Sequence, residues 1–257
     1  MDYIRITEQN LEQEHICCAI SSNKDPQVMA KKEWLAQRIP EGLTFLRADA
    51  RGKCFIEYIP AEKAWAPISA PGYMYIGCFW VSGSLKGHGC GNDLLDECIR
   101  DSKAQGKAGL CVISSSKKKP FLSDSGYLAH RGFIHADSAA PYFELLYLPF
   151  DGNAPVPQFL PQVKEPRCDG QGFTVFYSGG CPYTAKYVPL MVNIAAEHGI
   201  PLKTVHFSSA EEVRSSPAVF SNFSLFYNGG FVTHEMLSEK KFAALCDSIL
   251  AGKDTAK

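Results

Sequence analysis

The sequence has no long hydrophobic run. Over its 257 residues, no apolar stretch approaches the ~20 residues that a membrane-spanning helix needs. The first residues, Met1 to Arg5, lead directly into an alternating strand pattern. They lack the basic segment and apolar core of a secretory signal. We therefore expect a cytoplasmic protein without a membrane partner.

An excess of charge of one sign is missing as well. The chain has 26 Lys and Arg against 27 Asp and Glu, which gives a formal net charge of −1. Binding to a phosphate backbone needs a basic surplus gathered on one face. Nucleic acid is therefore not an expected partner.

Motifs for metal ligation are also absent. The sequence has ten cysteines, including the adjacent pair Cys17-Cys18, but no CxxC…CxxC or HExxH pattern. Cysteines of a cytosolic protein stay reduced. We expect neither a metal site nor a disulfide framework.

Proline is concentrated in one segment near the middle of the chain. Between Pro149 and Gly172, prolines stand at 149, 155, 157, 161 and 166. Proline interrupts both helices and strand ladders, so this composition predicts an extended linker over 151–171. Residues 1–150 and 172–257 then form two domains, each large enough for its own core. An ordered strap packed on one domain is the alternative.

The N-terminal part mixes strands and helices, which predicts an α/β domain with a mixed sheet. Runs rich in aromatic and β-branched residues indicate strands, and apolar residues at helical spacing indicate helices. The predicted strands are 3–7, 43–48, 53–59, 73–81, 110–113 and 142–148, and the predicted helices are 10–20, 26–38, 91–105 and 123–131.

A glycine-rich turn joins the strand 73–81 to the helix that follows it. Gly87, Gly89 and Gly91 come directly after Lys86. Glycine allows the backbone to curl so that consecutive N–H groups approach an anion, and the start of a helix adds unpaired N–H groups. The spacing fits neither a P-loop nor the dinucleotide pattern GxGxxG. A phosphate-bearing cofactor is the predicted ligand.

This segment resembles the acyl-CoA signature of the GNAT superfamily of N-acetyltransferases. Val81 is followed by Lys86-x-x-Gly89-x-Gly91, with Lys in the place of the usual Arg or Gln. The resemblance implies acetyl-CoA as co-substrate and an oxyanion donor at the backbone N–H of Val81. It also implies a cofactor site made of Phe79, Trp80 and Val81 beside the pantetheine arm and of Lys86, Gly87, His88, Gly89, Cys90, Gly91 and Asn92 around the pyrophosphate.

In that family the amine attacks the thioester directly in a ternary complex. A carboxylate working through water is a suitable base, and Glu57 lies mid-strand among apolar neighbours. The alternative is that Glu57 points outward from an exposed face. The proton donor to the thiolate is expected on the helix before Gly132-Phe133. Tyr127 lies one residue early there and Leu128 takes the expected place, so core packing of Tyr127 is the alternative.

The C-terminal part has a βαβ…ββα order and resembles the thioredoxin-like fold. The helical crossover between its first two strands implies that they pair in parallel, and Asn228-Gly229-Gly230 predicts a hairpin between 225–227 and 231–233. The segment Cys181-Pro182-Tyr183-Thr184 is similar to the active-site motif of glutaredoxins. Thr184 replaces the second cysteine, so only monothiol chemistry or binding at the Cys181 thiol remains. No proline stands near Ser221-Asn222, where the fold places its cis-proline.

Taken whole, the chain resembles the YoaP-type acetyltransferases, a bacterial group. Segments 57–62 and 141–150 carry the resemblance. It implies an N-acetyltransferase that moves an acetyl group to a primary amine of a small molecule or peptide. The alternative is a monothiol redox or thiol-binding protein that uses Cys181, in which the first domain only binds CoA. Oligomer formation stays open.

Overall fold

The structure is a computed structural model that describes residues 1–50 and 53–252. It has a mixed α/β fold and divides into two compact units. The first consists of Met1–Ala64 and Ile68–Leu160, and the second of Trp65–Pro67 and the chain from Pro161 onward. No helix in these described ranges is long and apolar enough to cross a membrane.

The first unit is built on a seven-stranded mixed sheet. The strands of this unit are β1 (Tyr3–Arg5), β2 (Thr44–Ala48), β3 (Cys54–Pro60), β4 (Ile68–Ser69), β5 (Tyr73–Val81), β6 (Gly109–Ser115), β7 (Ile134–Ala139), β8 (Phe143–Pro149) and β9 (Gln158–Phe159). The seven strands of the sheet lie in the order β1-β2-β3-β5-β6-β8-β7, and a separate two-stranded ladder joins β4 to β9.

Three α-helices accompany this sheet: α1 (Pro26–Arg38), α2 (Cys90–Ala104) and α3 (Ser125–His130). Asp25 caps α1 by accepting the N–H of Gln27, and Pro26 suits the first helical position. The apolar side of α2 lies on one face of the sheet, where its leucines and cysteines share a core with side chains of β3, β5 and β6. This core fixes the position of the glycine-rich turn that precedes α2.

The predicted helix over 10–20 is wrong. The chain forms turns up to residue 14 and an irregular loop to residue 25. Its backbone carbonyls are used by tertiary contacts: Lys32 Nζ donates to Glu12 O, and Asn23 Nδ2 donates to Gln13 O. β7 was not predicted, because it is an edge strand with little apolar alternation.

Part of the segment predicted as a linker is ordered. β9 pairs with β4, and Phe159 and Val163 are buried. A short 3-10 helix spans Pro161–Val163. The end of the predicted linker, from β9 onward, is therefore ordered and includes regular elements.

The second unit has a four-stranded sheet and three α-helices. Its elements are β10 (Phe173–Tyr177), α4 (Thr184–Glu197), β11 (Leu202–His206), α5 (Ala210–Ser215), β12 (Phe223–Tyr227), β13 (Gly230–Thr233) and α6 (Glu239–Leu250). The strands lie in the order β11-β10-β12-β13. Strands β10 and β11 run parallel, as the helical crossover predicted, and β12 runs antiparallel to β10 and β13.

The predicted hairpin of this unit is confirmed. Asn228 and Gly229 have φ angles of 45° and 80° between β12 and β13. Positive φ at both central residues is the geometry of a tight two-residue hairpin turn, and asparagine and glycine tolerate it best. α5 was not predicted, because its six residues AEEVRS contain one apolar side chain that packs inward.

Candidate active site

Strands β5 and β6 pair along only the first part of their length. Three residue pairs join them, from Tyr73↔Gly109 to Tyr75↔Cys111. Beyond this point β5 continues its register with β3, and β6 with β8. The two strands therefore separate, and their facing backbone groups need hydrogen-bond partners other than each other. An extended ligand with amide groups fits such a gap.

A β-bulge lies just past the point of separation. The register between β3 and β5 shifts at Glu57/Tyr58, so that Gly77 is the extra residue of β5. A bulge frees backbone groups from the ladder and redirects them. The expectation that Val81 supplies a bulge N–H is corrected here, because the bulge lies four residues earlier in the chain.

The glycine-rich turn has the backbone of an anion site. Gly87 and Gly89 have φ angles of 80° and 81°, which other residues rarely adopt. Gly89 is the N-cap of α2, and no side chain caps the helix there. The N–H groups of the first helical turn thus point toward the turn, where the helix dipole favours negative charge. Lys86 and His88 are exposed beside it.

A cavity of about 300 Å³ opens at this turn. Gly91 shapes it, because a Cβ atom at this position would lie 3.2 Å from Val81 Cγ2 and 3.7 Å from the Tyr127 hydroxyl. The side chain of Cys90 is buried in the core, which leaves only its backbone to face the turn. The cavity is lined by Val81, Leu85, Lys86, Gly87, Gly89, Gly91, Asn92 and Tyr127.

The other two predicted residues of β5 lie on opposite faces of the sheet. Phe79 packs on the α2 side, with its ring 5.7 Å from that of Tyr127. Trp80 is 42% exposed. Neither lines the cavity with its side chain, so a role beside the pantetheine arm would rest on their backbone and remains a prediction.

Tyr127 lies at the cavity and is not turned away from it. Its backbone N–H is capped by Asp124, and its hydroxyl donates to Asn92 Oδ1 over 3.1 Å. Leu128, which takes the place expected for the phenol, is fully buried in the core. Burial raises the pKa of Tyr127 above its usual value. The phenol therefore stays protonated at neutral pH and retains a proton to donate.

Glu57 is buried and does not point outward from an exposed face. It is 5% exposed, and its Oε2 accepts from Lys31 Nζ over 2.7 Å. Lys31 is itself 3% exposed and lies 4.1 Å above the ring of Trp34. The other carboxylate oxygen, Oε1, lies next to Gly77, where a Cβ atom would be 3.2 Å away. The carboxylate therefore stands at the bulge.

Lys31 was not among the site residues predicted from the sequence. A signal was present, because Lys31 falls between Val28 and Leu35 at helical spacing, on the stripe of α1 that the structure buries. A buried ammonium needs a charged partner. Glu57, the carboxylate in the middle of β3, meets this requirement from 26 residues away in the chain.

The loop before α1 holds a second group of polar contacts. Cys17 is buried, and its sulfur accepts the N–H of Ile20 over 3.4 Å. A hydrogen bond from the Cys18 thiol, helped by the backbone N–H groups of Ala19 and Ile20, lowers the pKa of Cys17 from 9.0 to about 6. Burial opposes this shift.

This shift predicts a pH dependence of stability. Between pH 6 and 9 the unfolded Cys17 binds more protons than the folded one, so its contribution to the free energy of unfolding grows as pH rises. That contribution is complete above the unfolded pKa and is lost as pH falls through about 6. We expect Cys17→Ser to flatten the increase, measured by urea unfolding at several pH values.

Cys246→Ser is the matched control, since burial raises the pKa of this thiol and its titration falls above the window. The control should keep the slope of the unmodified protein. Equal slopes for Cys17→Ser and the unmodified protein would contradict the prediction.

In the second unit, Cys181 lies in the turn before α4. The Thr184 hydroxyl lies 2.8 Å from the Cys181 carbonyl, and the Thr184 side chain is buried. Asn222 occupies the position where a proline was sought, and its Oδ1 accepts from the Ser178 hydroxyl over 3.2 Å. The motif thus forms an ordered turn at the end of β10.

Comparison with known proteins finds relatives of the whole chain. The YoaP-like family model matches residues 201–243. The uncharacterized N-acetyltransferase YoaP of Bacillus subtilis (strain 168) is 44% identical over 250 residues, which cover 97% of this chain and all of that protein.

Solved structures show a weaker likeness to part of the chain. A GNAT-family acetyltransferase from Desulfovibrio desulfuricans has 16% identity and a TM-score of 0.42, over 58% of this chain and 98% of its own. A GNAT-family acetyltransferase from Brucella melitensis, solved with acetyl-CoA, has 18% identity and a TM-score of 0.38, over 60% and 90%. Likeness of this degree decides nothing about ligands. The assignment rests on the full-length relative, and by it the chain belongs to the YoaP family of N-acetyltransferases.

Proposed function

We propose that this chain is a GNAT-type enzyme that uses acetyl-CoA to acetylate a primary amine of a small molecule or peptide. One observation carries the proposal: the glycine-rich turn opens a cavity of about 300 Å³ at the end of β5, the strand that has separated from its neighbour β6. The turn suits a pyrophosphate, and the gap between the strands suits the amides of a pantetheine arm.

The residues present fit this co-substrate. The absence of a side chain at Gly91 leaves open the space that a Cβ atom would fill. The backbone from Gly87 to Asn92 would hold the pyrophosphate, with the exposed Lys86 at its rim. The backbone of β5 from Phe79 to Val81, on the side that faces β6, would pair with the pantetheine arm. Acetyl-CoA supplies an acetyl group activated as a thioester.

Two side chains and one backbone segment would take part in the chemistry. Glu57 would remove the proton of the acceptor ammonium through a water, since its Oε1 faces the bulge. The N–H groups freed at the Gly77 bulge would stabilise negative charge on the carbonyl oxygen. Tyr127 would protonate the departing sulfur. The N–C bond forms first and gives a tetrahedral intermediate, and the C–S bond breaks when this intermediate collapses. Two protons leave the nitrogen: Glu57 would take the first, and the second would replace, through solvent, the proton that Tyr127 gives to sulfur.

The second unit is assigned as a thioredoxin-like module of 172–257 that presents or binds the acceptor. Its sheet order, β11-β10-β12-β13 with one parallel pair, supports this topology. Thr184 excludes a two-cysteine exchange at the Cys181 motif. The transferase domain would then occupy 1–150 together with the ordered residues up to β9.

The test is transfer itself. The full chain is mixed with acetyl-CoA and a panel of primary amines, and thiol release and acetylated product are followed together. We expect thiol release that depends on the amine, together with acetyl-CoA binding in calorimetry. Absence of both binding and amine-dependent release would overturn the proposal.

Two substitutions test the assigned roles. Glu57→Gln and Tyr127→Phe should each lower kcat by about 10²-fold or more, because a positioned acid or base contributes about 10²–10⁴-fold. The KM for acetyl-CoA should change little for Glu57→Gln. Tyr187→Phe, on α4 of the second unit, is the control for loss of a tyrosine hydroxyl. Unchanged kcat across pH for Glu57→Gln would remove this carboxylate from the mechanism.

A further inference from the structure

A second cavity, of about 130 Å³, lies on the first unit and shares no lining residue with the cavity at the glycine turn. Its lining includes three side chains that carry or can carry positive charge, His15, Arg47 and Lys53, together with Ser21 and Phe55. The volume is smaller than the ~300–1,000 Å³ of a complete small-molecule site, so it suits one group of a larger ligand.

Two residues that line this cavity, Arg47 and Phe55, lie on the face of the sheet opposite α2. Arg47 and Phe55 are paired in register between β2 and β3, and the Phe55 ring stacks on Phe45 at 4.7 Å. Their chain neighbours, Leu46 and Ile56, pack in the core under α2. Since side chains alternate along a strand, Arg47 and Phe55 face the other side.

The charge of this cavity is positive. Arg47 forms an ion pair with Glu14 and donates to Ala50 O over 3.3 Å. A guanidinium has five N–H donors, so these contacts leave others available. Lys53 Nζ donates to the neutral Ser21 hydroxyl over 3.3 Å. His15 uses one ring nitrogen for Cys17 O, at 2.7 Å. Among the residues that the structure describes, the carboxylate of Glu14 thus accompanies two permanent cations and an imidazole.

The cavity adjoins the candidate active site through the backbone. The N–H of Ser82 donates to Lys53 O over 2.7 Å, and the N–H of Lys53 donates to the Ser82 hydroxyl over 2.9 Å. Phe55 pairs with the exposed Trp80 across the sheet. Arg47 lies two strand spacings across the sheet from β5, opposite a position three residues beyond Gly77. The distance between Gly77 and Arg47 is therefore roughly 10–15 Å.

We infer that this cavity binds an anionic group, a carboxylate or a phosphate, of the acceptor whose amine is acetylated at the strand gap. The inference rests on the proposed function and specifies its substrate class. The acceptor carries its anion at a distance of roughly 10–15 Å from the amine, which is the span of an extended peptide of a few residues. Arg47 and Lys53 are then residues that determine specificity.

The experiment uses glycyl peptides of two to five residues with a free or an amidated C-terminus. A third set ends in phosphoserine amide or serine amide and tests phosphate as the anion. We expect kcat/KM to favour the free acid or the phosphopeptide by about tenfold or more, most strongly for the longer peptides. In Lys53→Met the preference should fall to about twofold, with the KM for acetyl-CoA unchanged.

Lys63→Met is the matched control, because Lys63 is an exposed lysine of the same unit outside this cavity. Arg47→Lys keeps the charge beside Glu14 and should lose part of the preference.

Turnover of amidated and free peptides at equal rates would overturn the inference and leave the acetyltransferase assignment intact. A higher KM for acetyl-CoA in Lys53→Met, with every acceptor affected equally, would also overturn it. Failure of the proposed function itself appears differently, as absence of thiol release with any amine.

Discussion

Replacing Gly91 with valine should raise the KM for acetyl-CoA at least 100-fold or abolish transfer. The first added carbon would already lie 3.2 Å from Val81 Cγ2, 3.6 Å from Phe79 Cζ and 3.7 Å from the Tyr127 hydroxyl. The remaining methyl groups then extend into the cavity proposed for the co-substrate. Binding measured by calorimetry and turnover measured by thiol release should fall together.

A smaller substitution at Gly91 and a control at another glycine separate a local effect on binding from a general loss of folding. Gly91 lies inside α2, where glycine is itself less favourable than alanine by roughly 0.5–1 kcal/mol. Gly91→Ala should therefore retain the thermal unfolding midpoint while weakening acetyl-CoA binding. Gly152→Val is the control, since no atom lies within 4 Å of a Cβ atom built there. Normal acetyl-CoA binding by Gly91→Val would show that the co-substrate lies elsewhere.

Replacing Lys31 with methionine should cost about 3–5 kcal/mol of the free energy of unfolding at neutral pH. The substitution removes the partner of the buried Glu57 carboxylate, and an uncompensated buried charge is strongly destabilising. Urea unfolding provides the measurement. Lys31→Arg keeps the charge and should recover part of the loss.

The double variant Lys31→Met/Glu57→Gln distinguishes structure from catalysis. It removes both charges, so most of the lost stability should return. Transfer should nevertheless stay as slow as in Glu57→Gln alone, because the proposed base is missing. Lys32→Met offers a comparison on the same helix, since Lys32 donates to the carbonyl of Glu12 and not to a carboxylate. A double variant that is no more stable than Lys31→Met would contradict the account of the pair.

Much of the framework is readable from local sequence. The glycines at 87 and 89 adopt the positive φ angles for which glycine is suited, and the helix after them begins at Cys90, one residue before its predicted start. The hairpin at Asn228-Gly229 follows from the same chemistry. These features depend on a few neighbouring residues, and their physical rules act over short distances.

The remaining features depend on contacts between distant segments. The segment 10–20 has helical spacing, but tertiary hydrogen bonds to its carbonyls hold it as a loop. The position of Tyr127 depends on where α3 starts, at Ser125 after the Asp124 cap, and this sets the direction of its ring. The ion pair of Lys31 with Glu57 joins α1 to β3, and helix periodicity alone does not reveal the partner.

The short contact between β5 and β6 has a consequence for the unliganded enzyme. With three residue pairs between them, the sheet consists of two half-sheets, β1-β2-β3-β5 and β6-β8-β7, joined by a narrow seam. A co-substrate bound between them, as proposed above, would act as an additional strand, and its binding energy would add to the stability of the fold. The amount of intact enzyme in a cell would then follow the supply of acyl donor, so that abundance and metabolic state are coupled without a separate regulator.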